Sequence, residues 1–289
     1  MENWRKAGKI AKEALEYGKT LVKTDALLIE VANKIEDKIV ELGGQIAFPV
    51  NISLNHVAAH YTPAPNEETK FKDEIVKLDV GVHVEGAIGD TALTIDLSGK
   101  NQELVQASED ALNQAIKIIK PGITLGKIGK AIEDAITKRG FVPIRNLSGH
   151  SMDIYNLHAG LTIPNYDTED DTKLEEGMII AIEPFATTGS GMIEEGSNAE
   201  IFMLEQVRPL RNMTARKILK EIESFNGLPF CSRVLVKKFN LMQVRIALKE
   251  MSNIDMLKLY PPLPEVNKGL VSQAEHTILI TKDGCEVLT

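Results

Sequence analysis

The chain has 289 residues, 43% of them hydrophobic and 26% charged, and a formal net charge of −8. That length suffices for one large domain or two ordinary ones with a substantial core, and the composition is ordinary for a globular protein. The acidic balance argues against nucleic acid as a direct partner, no apolar run approaches the roughly 18 residues of a membrane span, and the two cysteines, Cys231 and Cys285, offer neither a disulfide framework nor a thiolate metal site.

The first twenty residues are amphipathic and charged throughout, without the apolar core of a signal peptide, so a cytoplasmic location is expected. Residues 2 to 43 predict two helices. Ala7, Ile10, Ala11, Ala14, Leu15 and Leu21 form one apolar stripe, and Leu27, Leu28, Val31, Ile35, Ile39 and Leu42 form a second. Thr24 or Asp25 is the expected cap of the second helix, and Gly43-Gly44 its end. An irregular stretch, QIAFPVNISLNHVAAHYTPAPNEET, follows and carries Phe48, His56 and His60.

From Val76 to Asp96 two period-two runs flank Gly86, the pattern of a β-hairpin. Leu78, Val80, Val82 and Val84 share one face of the first run, which leaves Asp79, Gly81 and His83 on the other. In the second run Asp90, Ala92 and Thr94 oppose Thr91, Leu93 and Ile95. Asp79 and Asp90 therefore fall on faces lined by small residues, as direct or diagonal neighbours across the hairpin. Two carboxylates so placed repel, and relief comes from water, a shared proton, basic side chains or a cation. The hairpin alone leaves all four open.

Helix, helix, irregular His-bearing stretch and strand then recur. One helix runs from about Gln102 to Ile119 and stops at Pro121-Gly122; another is capped by Thr124 and stops at Gly140. FVPIRNLSGHSMDIYNLHAG reads as irregular, with His150 and His158, and Met178 to Glu183 reads as a strand. A straight strand would set His150 and His158 roughly 26 Å apart, so they share a site only if the chain turns between them. Residues 208–268 are mostly helical, end in LYPPLP, and look inserted between 1–207 and 269–289. The tail returns to β character, with Lys282-Asp283-Gly284 turning a last hairpin. Glu183 closes one apolar run and Glu275 opens another. A set of two Asp, two Glu and one His suits Mn, Fe, Co or Zn, and the excess of carboxylates favours two ions about 3.5–4 Å apart.

AAHYTP (58–63), LDVGVHVEGAIGDTA (78–92), SGHSMDIYNLHAG (148–160), AIEPF (181–185), LYPPLP (259–264) and AEHTILI (274–280) together resemble type 2 methionine aminopeptidases of the archaeal short form, over essentially the whole chain. The resemblance implies an α+β pita-bread fold with pseudo-twofold duplicated α/β halves and, at 208–268, the inserted helical subdomain of the type 2 enzymes. It implies a metal-dependent aminopeptidase that removes the initiator Met of nascent polypeptides when the second residue is small. Carried over position by position, it makes Asp79, Asp90, His150, Glu183 and Glu275 the ligands of two divalent ions (Co, Mn, Fe or Zn). Glu183 would also move protons, His60 and His158 would bind the substrate's carbonyl and amide, and Phe48 and Tyr260 would line the Met pocket. His56, His83 and His276 are read as structural. The long charged N-terminal extension of eukaryotic relatives has no counterpart here, which puts ribosome docking in doubt, and a monomer is expected. Two alternatives stand beside this reading: a related peptidase cleaving before proline, and a non-catalytic binding protein of the same fold.

Overall fold

The computed structural model describes all residues, Met1 to Thr289. Helices α1 (Glu2–Leu21) and α2 (Leu28–Glu41) lie on an antiparallel sheet of β1 (Gln45–Leu54), β2 (Ile75–Val84) and β3 (Ala87–Asp96), in the order β1-β2-β3. Their apolar stripes close over the sheet: Ile10, Ala14 and Leu15 of α1 and Leu28, Val31, Ile35 and Ile39 of α2 share one buried cluster with Val76, Leu78, Val80 and Val82. Glu85 (φ 49°) and Gly86 (φ 82°) make the two-residue turn, both left-handed as a type I′ hairpin needs.

The same plan repeats with α3 (Gln102–Ile118) and α4 (Leu125–Lys138). Short strands β4 (Val142–Pro143), β5 (Ser148–Ser151), β6 (Thr162–Pro164), β7 (Ile179–Ile182) and β8 (Phe185–Thr187) come next. Then follow β9 (Ile201–Leu204), α5 (Met213–Glu223), β10 (Phe230–Cys231), α6 (Ser232–Val236), α7 (Leu241–Asn253) and β11 (Leu257–Tyr260). Strands β12 (Val271–Gln273), β13 (His276–Ile280) and β14 (Cys285–Val287) complete the chain. The second half-sheet runs β14-β13-β7-β5-β6, beside a small β12-β8-β4 sheet. Ile180, Ile182, Ile278 and Ile280 meet Leu104, Leu112, Ile128, Ile132 and Ile136 of α3 and α4 in a core of their own. The halves join along a polar seam. Asp90 N–H donates to Thr277 Oγ1 at 2.8 Å, Thr91 Oγ1 donates to the Glu275 carbonyl at 2.9 Å, and Thr94 Oγ1 donates to the Gln273 carbonyl at 2.6 Å.

Three local expectations are corrected. Gln45–Leu54 is a strand, not irregular: Pro49 and the register shifts between Ile46 and Phe48 and between Phe48 and Asn51 hide its period. As an edge strand it tolerates the proline's missing N–H. His150 likewise lies in a strand, β5, too short to register as alternation. The N-cap of α2 is Leu27, with no side-chain cap, because Asp25 takes φ 68° in the preceding turn. Thr124 does occupy the N-cap of α4, though its side chain makes no capping bond. His83 accepts the Gly86 N–H at 3.3 Å, and His276 bonds Thr289 Oγ1 at 3.0 Å, both structural contacts. No helix is long and apolar enough to cross a membrane.

α1 crosses β3 at Gly89, where an added Cβ would lie 2.7 Å from the backbone of Ala7 and Gly8. Gly89→Ala must push the helix off the sheet. A loss of about 1–3 kcal/mol is expected, read by urea denaturation, and an unchanged midpoint would contradict the close approach.

Candidate active site

The seam holds the carboxylates. On the hairpin Gly81 stands opposite Asp90 and Asp79 opposite Ala92, so the two aspartates are diagonal neighbours. Glu275 precedes β13, and Glu183 follows β7 where Pro184 ends the run. Asp79, Asp90, Glu183 and Glu275 line one cavity with His150, His60, His158, Phe48 and Tyr260, so all nine residues singled out in the sequence face the same space. Ligand atoms of Asp90, His150 and Glu275 lie within 4.8 Å of one another. His150 Nε2 is 3.6 Å from both Asp90 Oδ2 and Glu183 Oε1. These separations are too long for hydrogen bonds and leave room for a further atom among the groups.

The chain reverses between the two histidines. Asp153 N–H donates to the Asn156 carbonyl at 2.9 Å and Tyr155 takes φ 54°, which brings the His150 and His158 rings to 4.4 Å. Tyr260 stands edge-on to His60 at 5.4 Å and is stacked with His158 at 6.3 Å. Phe48 lies across Gly81, where a Cβ would come within 2.1 Å of its ring, so the glycine makes room for that wall. The wall continues through Leu157, Ile201 and Pro229.

Sequence reasoning missed these last three, together with Asn51 and Gln273. Asn51 pairs with Asp79 across β1 and β2, and Gln273 Nε2 donates to Glu275 Oε2 at 3.3 Å. The period-two spacing of Gln273 and Glu275 was a usable signal. Pro229, in contrast, enters the cavity only through tertiary packing.

The cavity lining contains four carboxylates and no lysine or arginine. Burial drives all four carboxyls toward the neutral acid. Asp79 is pushed up to about 7, while Asp90, Glu183 and Glu275 are raised further by the neighbouring carboxylates. Burial holds the histidines neutral: His150 falls to about 3, and His60 and His158 to about 4. Asp79 Oδ1 and Asp90 Oδ1 are buried without a hydrogen-bond partner. Unpartnered hard oxygens beside a neutral imidazole are the donor set a divalent cation takes, so the residues present fit a metal.

A stability consequence follows for metal-free protein. Asp79 titrates near 4 when unfolded but about 7 when folded, so its ionisation removes stability progressively as pH rises from about 4 to 7. Asp79→Asn lacks that loss. The stability of the metal-free variant relative to wild type is expected to improve steadily over that range in denaturation titrations; a flat difference would contradict the burial.

The chain matches the model of metallopeptidase family M24 over residues 2–282. It is 46% identical over 287 residues to the methionine aminopeptidase of Thermococcus onnurineus, covering 98% of this chain and 97% of the relative. Among solved structures it resembles the methionine aminopeptidase of Thermotoga maritima with a TM-score of 0.73 at 25% identity, covering 100% of this chain and 95% of that one. It also shares the fold of a thermophilic Arx1, with a TM-score of 0.86 at 17% identity, covering 99% and 89%. The duplicated halves about a carboxylate seam are the pita-bread architecture, and the chain belongs to metallopeptidase family M24.

Proposed function

We propose that this protein is a type 2 methionine aminopeptidase, hydrolysing the N-terminal methionine of polypeptides whose second residue is small. The observation that carries the reading is the carboxylate–imidazole cluster Asp79, Asp90, His150, Glu183 and Glu275 inside a cavity walled by Phe48, His60, His158 and Tyr260. The cluster would hold two divalent ions (Co, Mn, Fe or Zn), which when bound act as Lewis acids, polarising the scissile carbonyl and acidifying water.

The protein's own groups supply the rest. Glu183, its side chain 14% exposed, is reachable from the cavity and suits proton transfer from the attacking water to the departing amine. His60 and His158 are neutral at pH 7, so each offers one N–H donor and one acceptor nitrogen to the substrate's amide and carbonyl. Phe48, Leu157, Ile201 and Pro229 offer a dry wall to an unbranched thioether side chain. The partner is the N-terminus of a nascent polypeptide, met in the cytoplasm by a monomer.

Residues 208–268 are proposed as an inserted helical subdomain of a catalytic domain made by 1–207 and 269–289. Leu210, Ala215, Ile218, Leu235, Val244, Leu248 and Met251 form their own core, which extends to Phe202. β9 hydrogen-bonds β10 and β11, so the unit is tied to the strand that enters it. Through Tyr260 and Pro229 this segment contributes walls to the cavity.

Exhaustive chelation is expected to abolish hydrolysis of Met-Ala-Ser, and Mn, Fe or Co to restore it; full turnover by verified metal-free protein would refute the reading. Asp90→Asn should lose more kcat than Asp79→Asn, on the order of 10²-fold or more, because Asp90 belongs to the convergent trio with His150 and Glu275. Met-Ala peptides should exceed Met-Lys peptides in kcat/KM by roughly 10- to 200-fold, and an Ala-Pro peptide should not be cleaved. Equal rates for Met-Ala and Met-Lys would remove the small-residue preference.

A further inference from the structure

Away from the metal cluster, the molecule buries one ion pair. Arg233 of α6 is 3% exposed and Glu36 of α2 is 4% exposed, and Arg233 Nη2 donates to Glu36 Oε1. The other arm of the guanidinium turns to the loop that carries His60: Nη1 donates to Thr62 Oγ1 at 2.6 Å and to the Pro63 carbonyl at 2.8 Å. Thr62 Oγ1 in turn donates to the Val50 carbonyl at 2.8 Å, and Val50 N–H donates to Glu36 Oε1 at 3.4 Å. Arg233, Glu36, Val50 and Thr62 thus close a ring of hydrogen bonds linking α6, α2, β1 and the His60 loop.

His60 sits two residues before Thr62 in a left-handed conformation, φ 63°, which a non-glycine residue holds only when its surroundings impose it. One side of the loop is fastened by backbone bonds. Ala58 N–H donates to the Leu263 carbonyl at 2.8 Å, and Leu263 N–H donates to the Ala59 carbonyl at 3.1 Å. On the other side Ile52 N–H donates to the Tyr61 carbonyl at 2.7 Å, and Arg233 holds the next two residues, Thr62 and Pro63. It also follows Pro229, a cavity wall, by four residues, so one short segment supplies both a wall of the pocket and the anchor of the loop opposite.

A buried ion pair is not needed for stability as such, since apolar pairs of similar size often replace one without loss. What an apolar pair cannot supply is directional donors to Thr62 and Pro63. We propose that Arg233 is a positioning residue that fixes the His60 imidazole against the substrate cavity by tying the inserted segment to the His60 loop. This rests on the reading that His60 contacts the substrate.

Arg233→Met alone strands Glu36 and would lose stability for that reason. The informative variant is Glu36→Met/Arg233→Met, which removes both charges. Three quantities are compared with wild type: melting temperature with bound Mn, kcat and KM on Met-Ala-Ser, and the rate at which diethyl pyrocarbonate modifies His60, mapped by mass spectrometry. The paired variant is expected to fold and keep its Mn content, melting lower than wild type because the buried Val50 N–H and Pro63 carbonyl lose their partners. Its kcat should fall roughly 10- to 100-fold with KM changed less than about threefold, and His60 modification should accelerate while that of His158 does not. Arg233→Lys, which keeps the charge but lacks the fork, should recover stability and leave the kcat loss in place. Thr62→Val, which spares the ion pair, should accelerate His60 modification and decides the matter if the paired variant does not fold. Wild-type kcat and His60 modification in a stable paired variant overturn the proposal, as does unaltered modification in Thr62→Val. If wild type itself fails to cleave Met-Ala-Ser, the functional reading falls, and the modification rates still decide whether Arg233 positions His60.

Discussion

Four carboxyl groups share one buried space, and the rest of the molecule answers to their mutual repulsion. Asp79, Asp90, Glu183 and Glu275 each resist ionisation through burial, and three of them through one another. No cationic side chain enters the cavity lining to offset them. A hairpin or a single sheet would let such groups swing apart into water. They are held because β3 and the β12–β13 segment are hydrogen-bonded edge to edge through Thr91, Thr94 and Thr277 and the Ala92–Glu275 bridge. The stabilisation comes from elsewhere, from two apolar cores on the outer, helix-covered faces of the half-sheets. Strain at the centre and burial at the periphery are separated by one layer of β-structure. The outer cores can therefore offset the cost of burying the four carboxyls between the half-sheets.

The histidines follow from the same burial with the opposite sign. Desolvation that disfavours a carboxylate also disfavours an imidazolium, so His60, His150 and His158 stay neutral at pH values where the carboxyls begin to ionise. Neutral imidazole is the form that can ligate a cation, or donate and accept at once. Two chain features bring the rings in. The turn at Asp153–Asn156 folds His158 back onto His150, and the left-handed backbone at His60 aims its ring at Tyr260.

Much of this was legible in the residues. The hairpin, the helix pairs of both halves, the strand ends at Glu183 and Glu275 and the closing turn at Lys282–Gly284 announce themselves by period and punctuation, because each is decided by neighbours within a few positions. β1 was not legible. Its alternation is broken by Pro49 and two register shifts, and an edge strand takes its pairing from β2, about thirty residues away. The four-residue strand at His150 was missed for a related reason: it pairs on both sides and needs no pattern of its own.

Residue identity alone determined which chemistry was available: carboxylates on small-residue faces, histidines in glycine- and proline-marked segments, and too few cysteines for a thiolate site. Only the tertiary structure decided which of these groups meet. Asp79 and Asp90 are diagonal because a two-residue turn fixes the register. Glu275 joins Asp90 because the seam pairs Glu275 with Thr91 and Ala92, far away in the sequence. Pro229 and Arg233, unremarkable in the linear chain, acquire their places against the cavity and the His60 loop only when the segment that carries them packs back. Period and propensity act over a few residues, whereas the convergence of side chains from distant segments is set by how whole sheets and helices bury their apolar faces.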